Sequence, residues 1–211
     1  MCVDRAGIVG ADGNTHQGLY DLSFFKVVPN LTIVAPKDYL ELKMMMEFAI
    51  TVKKPVVIRY PRGSESDSKF LVHDKIKLGK SEIIKTGNDI TLIGMGKTVS
   101  KCLEISNELE KSDIDSEVIN VRFLKPIDEK KIIESISKTK RVVIIEDSTI
   151  IGGLSSTIKE IIINNKLSKV EISSYAYPDK FIEHGSVLEI EKKYGLDNDT
   201  IIDNIKKYFN K

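Results

Sequence analysis

The densest run of residues able to do chemistry lies near the start of the chain. It reads Asp4-Arg5-Ala6-Gly7, then Gly10-Ala11-Asp12-Gly13-Asn14-Thr15-His16-Gln17-Gly18. The run follows a short strand-like start, Cys2-Val3-Asp4, and precedes a helical pattern near Leu19 to Val27. In an open α/β sheet, ligands sit beyond the carboxyl ends of the strands. The glycines allow tight turns and close backbone approach. The helix start offers free N–H groups to an anion. His16 stands beside it, where an imidazole can exchange a proton near neutral pH. The plainer alternative is that Asp12 and His16 only tie the loop together. Arg5 and Arg62 form a second pair, each at a strand end beside a glycine or proline turn. Guanidinium groups bind phosphate or carboxylate bidentately, so the two could converge on an anionic substrate. Residue type alone favours solvated or salt-bridged arginines there.

Other polar positions carry less. Gly94-Met95-Gly96-Lys97 follows a strand pattern, but the third glycine of a dinucleotide fingerprint would fall at Val99, so a tight turn is the better reading. Gly152-Gly153 is judged the same way. Glu146-Asp147 and His184 are expected to be structural or to lie at a domain interface. His73 falls in a linker and has no evident role. Three histidines and two scattered cysteines lack the spacing of a zinc site.

The elements that must position these residues alternate between strand and helix. Leu31 to Ala35 is a strand ended by Pro36. Asp38 caps a helix with Glu41 three residues on, in a capping-box arrangement, and Leu42, Met45, Met46 and Ala49 follow at helical spacing. Pro55 to Tyr60 is the next strand. Residues 64–78 are polar and aperiodic and read as a linker. Further strands are expected at Ile90 to Ile93, Glu117 to Val121, Arg141 to Glu146 and Val170 to Ser173. The intervening helices begin after Gly96, at Pro126-Ile127-Asp128 and at Gly152-Gly153, with two more near 186–194 and 198–209. Short connections between strand and helix imply a parallel α/β sheet. Residues 1–63 supply about three strands and two helices, fewer than a doubly wound sheet normally has. The N-terminal part of that unit is therefore expected to be missing, and residues 1–63 to be disordered, domain-swapped or packed on a second copy.

Bulk properties narrow the function classes. The chain has 211 residues, 41% of them hydrophobic, with 32 basic and 31 acidic residues and a net charge of +1. That balance gives no electrostatic reason to expect nucleic acid or an anionic membrane as a partner. No apolar run approaches the ~18 residues of a membrane span, and no secretory pattern opens the chain. Cys2 and Cys102 do not make a disulfide framework, so a reducing cytoplasm is expected.

Several of these runs match one family. Asp4-Arg5-Ala6-Gly7, the Gly10–Gly18 run and Tyr60-Pro61-Arg62-Gly63 resemble the second half of the pyrimidine-binding domain of 1-deoxy-D-xylulose-5-phosphate synthases, which are transketolase-like thiamine-diphosphate enzymes. Val121 to Asp128 and Tyr177 to Gly185 resemble the C-terminal domain of the same family. The resemblance implies an α/β fold in three parts. Residues 1–63 are half of a pyrimidine-binding domain, 64–78 a linker, and 79–211 a transketolase C-terminal domain with a parallel or mixed sheet flanked by helices. It implies pyruvate and glyceraldehyde 3-phosphate as substrates, a homodimer, and thiamine diphosphate with Mg2+ as cofactors. By the same resemblance, His16 faces the reacting carbon and handles protons, with Asp12 supporting it. Arg5 and Arg62 hold the triose phosphate or the pyruvate carboxylate. The family's diphosphate and Mg2+ motif is absent, and so is its Glu-Gln-His context. The chain alone is therefore expected to bind neither cofactor and to be inactive. Two alternatives stand beside it: a subunit of a split enzyme completed in trans by an N-terminal chain, and a non-catalytic dimerisation or regulatory module.

Overall fold

In the computed structural model, which describes residues 1–63, 70 and 73–209, several helices start where side chains satisfy their free N–H groups. The elements are β1 (Cys2–Val3), α1 (Asp21–Lys26), β2 (Thr32–Val34), α2 (Tyr39–Thr51), β3 (Val56–Arg59), β4 (Glu82–Lys85), β5 (Ile90–Gly94) and α3 (Thr98–Glu110). They continue as β6 (Ser116–Asn120), β7 (Phe123–Lys125), α4 (Glu129–Thr139), β8 (Arg141–Thr149), α5 (Leu154–Asn164), β9 (Glu171–Tyr177), α6 (Val187–Lys193) and α7 (Asn198–Phe209). The Asp38 carboxylate accepts from the Glu41 N–H at 2.7 Å and caps α2. Asp128 caps α4, and Ser186 with Glu189 makes a complete capping box on α6. Helix α5 is capped from outside its own turn. The Glu146 carboxylate, at the end of β8, accepts from the Leu154 and Ser155 N–H groups at 2.7 and 3.0 Å. A Cβ at Gly153 would lie 2.2 Å from that carboxylate, so a side chain there would displace the cap.

Two sheets form. The first has the order β1-β3-β2-β7 and the second β4-β6-β5-β8-β9. Most neighbours are parallel, while β7 runs antiparallel to β2 and β4 antiparallel to β6. The fold is therefore mixed α/β. The nine residues of Arg141–Thr149 form the long strand of the second sheet, and eight of them are buried, as a strand covered on both faces should be.

The structure departs from the sequence expectation in several places. Met46 is exposed at 48%, whereas Met45 is fully buried. Adjacent helix residues point about 100° apart, so only one of the two can face the core, and Met44 and Phe48 pack beside Met45 instead. Strands β4 and β7 do not stand out in the sequence pattern. Residues 1–63, finally, are ordered against the remainder of their own chain. The reason is β7: Arg122, at φ +57°, turns the backbone after β6, and Phe123 then pairs with Val34 of the first sheet. Phe123 is fully buried and meets Phe48 edge-on at 5.5 Å. Leu22, Ile33 and Ala35 from the first segment share one apolar cluster with Ile93, Val121, Leu124, Ile144 and Leu154. Of the expected linker, residues 64–69, 71 and 72 lie outside the described residues. Within 73–78, Ile76 is buried and the His73 ring contacts the Asp38 carboxylate.

A buried charge cluster reinforces this joint. Lys37 Nζ lies 3.3 Å from Glu41 and 2.7 Å from Glu82. Arg122 lies 2.6 Å from Glu41 and 2.8 Å from Glu82. Asn120 donates to both carboxylates. The four charged side chains are at most 4% exposed, so each depends on its partners for the solvation that water would have given. Glu41 thus serves the interface and does not fold back as a capping-box partner to Asp38. Burial pushes the Glu82 carboxyl up, but Lys37, the Asp74 N–H and Arg122 outweigh it and hold the carboxyl below its ordinary value.

Two outcomes are expected. Phe123→Ala destabilises the chain by about 3–5 kcal/mol and lowers hydrogen-exchange protection in β2, β3 and β6 together. Loss confined to one sheet would show two independent units. Arg122→Met, which leaves two buried carboxylates on one lysine, destabilises by about 3–5 kcal/mol. Because the folded Glu82 value is lowered, its contribution is present above the unfolded value of 4.5 and is lost as pH falls below it. Denaturant midpoints should therefore drop from pH 5 downward, and less steeply in Glu82→Gln.

Candidate functional site

The candidate loop begins where β1 ends. Ala6 N–H bonds to Tyr60 O at 3.0 Å, which ties it to the end of β3. Gly18 closes the loop: its N–H is shared between Arg5 O at 2.9 Å and Gly7 O at 3.0 Å. A Cβ at Gly18 would stand 2.4 Å from Arg5 O, so no larger residue allows that closure. The far side of the loop rests on the 181–185 stretch. Gly185 N–H donates to Gly10 O at 3.0 Å, and Gln17 Nε2 donates to Ile182 O at 2.9 Å. His184 lies against Gly13, where a Cβ would come 3.5 Å from its own. Both the loop and the 181–185 stretch therefore belong to one surface.

Beneath the loop lies Arg59, 2% exposed. Its Nε donates to Asp21 at 2.7 Å, its Nη1 to the Asp147 carboxylate at 2.6 Å, and its Nη2 to Gly18 O at 2.7 Å. Burial opposes the Arg59 charge, but Asp147 and Asp21 prevail and hold the guanidinium firmly protonated. Burial likewise raises Asp147, and Arg59 with Lys97 reverses this and holds it below its ordinary value. Glu146, one residue earlier, keeps a raised value because burial outweighs the hydrogen bonds from Ser155, Ser148 and Leu154. The sequence reading missed Arg59. The signal was there: a cation inside an apolar strand run must find a counter-charge.

Three of the four singled-out residues come together. Asp12, at the end of the 3-10 turn Gly10–Asp12, accepts from Arg5 Nη1 at 2.5 Å. It also accepts from Arg62 Nη1 at 2.7 and 3.0 Å. The arginines thus converge on a carboxylate of the chain itself. Two guanidiniums on one carboxylate leave a net positive cluster, and the Arg62 side chain is still 56% exposed. Arg5 adopts φ +59°, a left-handed conformation uncommon outside glycine, which its backbone bond to Gly18 holds in place. His16 stands apart. It is exposed, its Nδ1 is 2.8 Å from the Thr15 hydroxyl, and no hydrogen bond joins it to Asp12. The arrangement leaves positive charge at the arginines, where an anion can bind, with an exposed imidazole on the same loop. Among the described residues, no group of three His, Cys, Asp or Glu side chains could hold a metal ion, and no helix is long and apolar enough to cross a membrane.

Comparison with known proteins identifies the family. Residues 1–66 match the transketolase pyrimidine binding domain, and residues 79–201 match the transketolase C-terminal domain. A 1-deoxy-D-xylulose-5-phosphate synthase of Caldanaerobacter subterraneus is 42% identical over 97% of this chain and 33% of its own length. The synthase of Alkaliphilus oremlandii is 42% identical over 98% of this chain and 33% of its own. The chain thus spans about a third of the length of the curated relatives it matches. A solved structure described as a split gene transketolase, inactive beta4 tetramer, superposes with a TM-score of 0.86 at 27% identity, over 98% of this chain and 65% of that one. Transketolase from Campylobacter jejuni shares the fold, with a TM-score of 0.72 at 22% identity over 98% of this chain and 31% of that one. With the C-terminal domain matched over residues 79–201 of 211, and the pyrimidine binding domain matched before it, the chain belongs to the transketolase family.

Proposed function

We propose that this chain supplies part of the substrate wall of a thiamine-diphosphate-dependent transferase that joins pyruvate to glyceraldehyde 3-phosphate, releasing carbon dioxide and forming 1-deoxy-D-xylulose 5-phosphate. The observation that carries this is the Arg5–Asp12–Arg62 cluster, built from the loop after β1 and the turn after β3, with an exposed His16 on that same loop. The names of the relatives support the choice of reaction. On this proposal residues 1–63 and 79–211 are two domains joined by 64–78, acting in a cytoplasmic homodimer.

The residues present do not fit the cofactor's metal-bound end, because no three carboxylate, imidazole or thiol groups gather among the described residues. Thiamine diphosphate, once held by other polypeptide, supplies the carbanion chemistry. This chain's share is binding and proton handling. Arg5 and Arg62 take the triose phosphate or the pyruvate carboxylate with charge-assisted hydrogen bonds. Asp12 holds the two guanidiniums in place before the anion arrives, so less ordering remains to be done on binding. His16 gives and takes the proton at the reacting oxygen or carbon.

A specific observation favours one variant of this proposal. The similarity to a structure described as a split gene transketolase, inactive beta4 tetramer, supports a subunit completed in trans by a chain carrying the cofactor domain.

Calorimetric titration of the purified chain with thiamine diphosphate and Mg2+ tests the division of labour. No heat of binding is expected at millimolar cofactor, whereas micromolar affinity would contradict it. In the completed enzyme, His16→Ala should lower kcat about 10²–10⁴-fold. Arg62→Ala should raise KM for one substrate at least tenfold, as loss of a charged hydrogen bond does. Wild-type kinetics in both variants would remove these residues from the site.

A further inference from the structure

A cavity opens beside the Tyr60–Gly63 turn, at the joint between the two sheets. Its walls include Pro36, Tyr39, Leu42, Tyr60, Lys97 and Ser100. Pro36 follows β2, Tyr60 follows β3, and Lys97 follows β5. The cavity thus sits beyond the carboxyl ends of strands from both sheets, where ligands of α/β proteins bind. Mostly apolar walls with a few polar groups are the usual character of a small-molecule site.

We propose that this cavity binds a small ligand with a planar apolar body and a single anionic group. The body follows from the walls, which are mostly apolar and include two tyrosines, Tyr39 and Tyr60, and two prolines, Pro36 and Pro61. Tyr39 is steadied by its hydroxyl, which donates to Gly63 O at 3.2 Å. The charge follows from an inventory of the lining. Lys37 is committed to Glu41 and Glu82 and has no exposure. Asp38 is committed to the α2 cap and to His73. Lys97 differs. Its side chain is 31% exposed, and its ion-pair partner Asp147 is 3.8 Å away. Asp147 already holds Arg59 at 2.6 Å, so Lys97 can turn its ammonium to a ligand without stranding a buried carboxylate. Among the described lining residues, one available cation matches one anionic group. A ligand seated there touches residues of both sheets and therefore stabilises the joint between them.

The test uses the full chain and two probes of one shape, 3-phenylpropionate and neutral 3-phenylpropan-1-ol, followed by amide chemical shifts. Saturable shifts centred on Tyr39, Tyr60 and Lys97 to Ser100 are expected for both, with the carboxylate binding more tightly. Lys97→Met, checked for an unchanged thermal midpoint, should weaken the carboxylate about tenfold and leave the alcohol unaffected. Arg62→Ala should leave both probes unaffected. The proposal is overturned by absence of saturable shifts, by equal affinity of the two probes, by full carboxylate binding in Lys97→Met, or by its loss in Arg62→Ala.

Discussion

Arg59 is the interaction on which the candidate site depends. A guanidinium at 2% exposure is tolerable only if every face of it is matched, and here the matches come from three places. Asp21 is the first residue of α1, Gly18 O closes the candidate loop, and Asp147 lies near the end of β8. One side chain thus fixes the loop carrying Arg5, Asp12 and His16 relative to the second sheet. Removing Arg59 would leave Asp147 buried with only the more distant Lys97, so the loop and the sheet cannot separate cheaply. The Lys37–Glu41–Glu82–Arg122 cluster does the same at the other side of the joint, and the exchange of β7 into the first sheet completes it.

Much of the fold was legible because its signals are local. Asp38 and Asp128 announce helix starts through side-chain caps, and both caps form. Leu154, Ile158, Ile161 and Ile162 repeat at helical spacing, and all four are buried. Strand β8 reads as a continuous apolar run because helices cover both faces. What escaped was non-local. Strands β4 and β7 have four and three residues, and their pairing is decided by strands far away in the chain. Without β7, residues 1–63 look like an exposed half-sheet; with it, they gain a neighbour strand and a shared core.

The site shows the same division. Residue types and turn positions single out Arg5, Asp12, His16 and Arg62. Their mutual geometry is another matter, since Arg62 meets Asp12 across 50 positions of chain. An arginine pair facing outward and an arginine pair held by its own carboxylate have identical sequences. The second is what the structure contains: one carboxylate keeps two like charges side by side. Cys102, by contrast, is inert: burial pushes its thiol up to about 12, far from the thiolate form a reactive cysteine needs.

The most direct test joins this chain to the part of the Caldanaerobacter relative that it does not match, and measures carbon dioxide release from pyruvate that depends on glyceraldehyde 3-phosphate. The expected result is turnover by the joined protein and none by the chain alone. Turnover by the chain alone, or a folded joined protein that binds thiamine diphosphate yet releases no carbon dioxide, would contradict the assignment of this chain as a partial substrate wall.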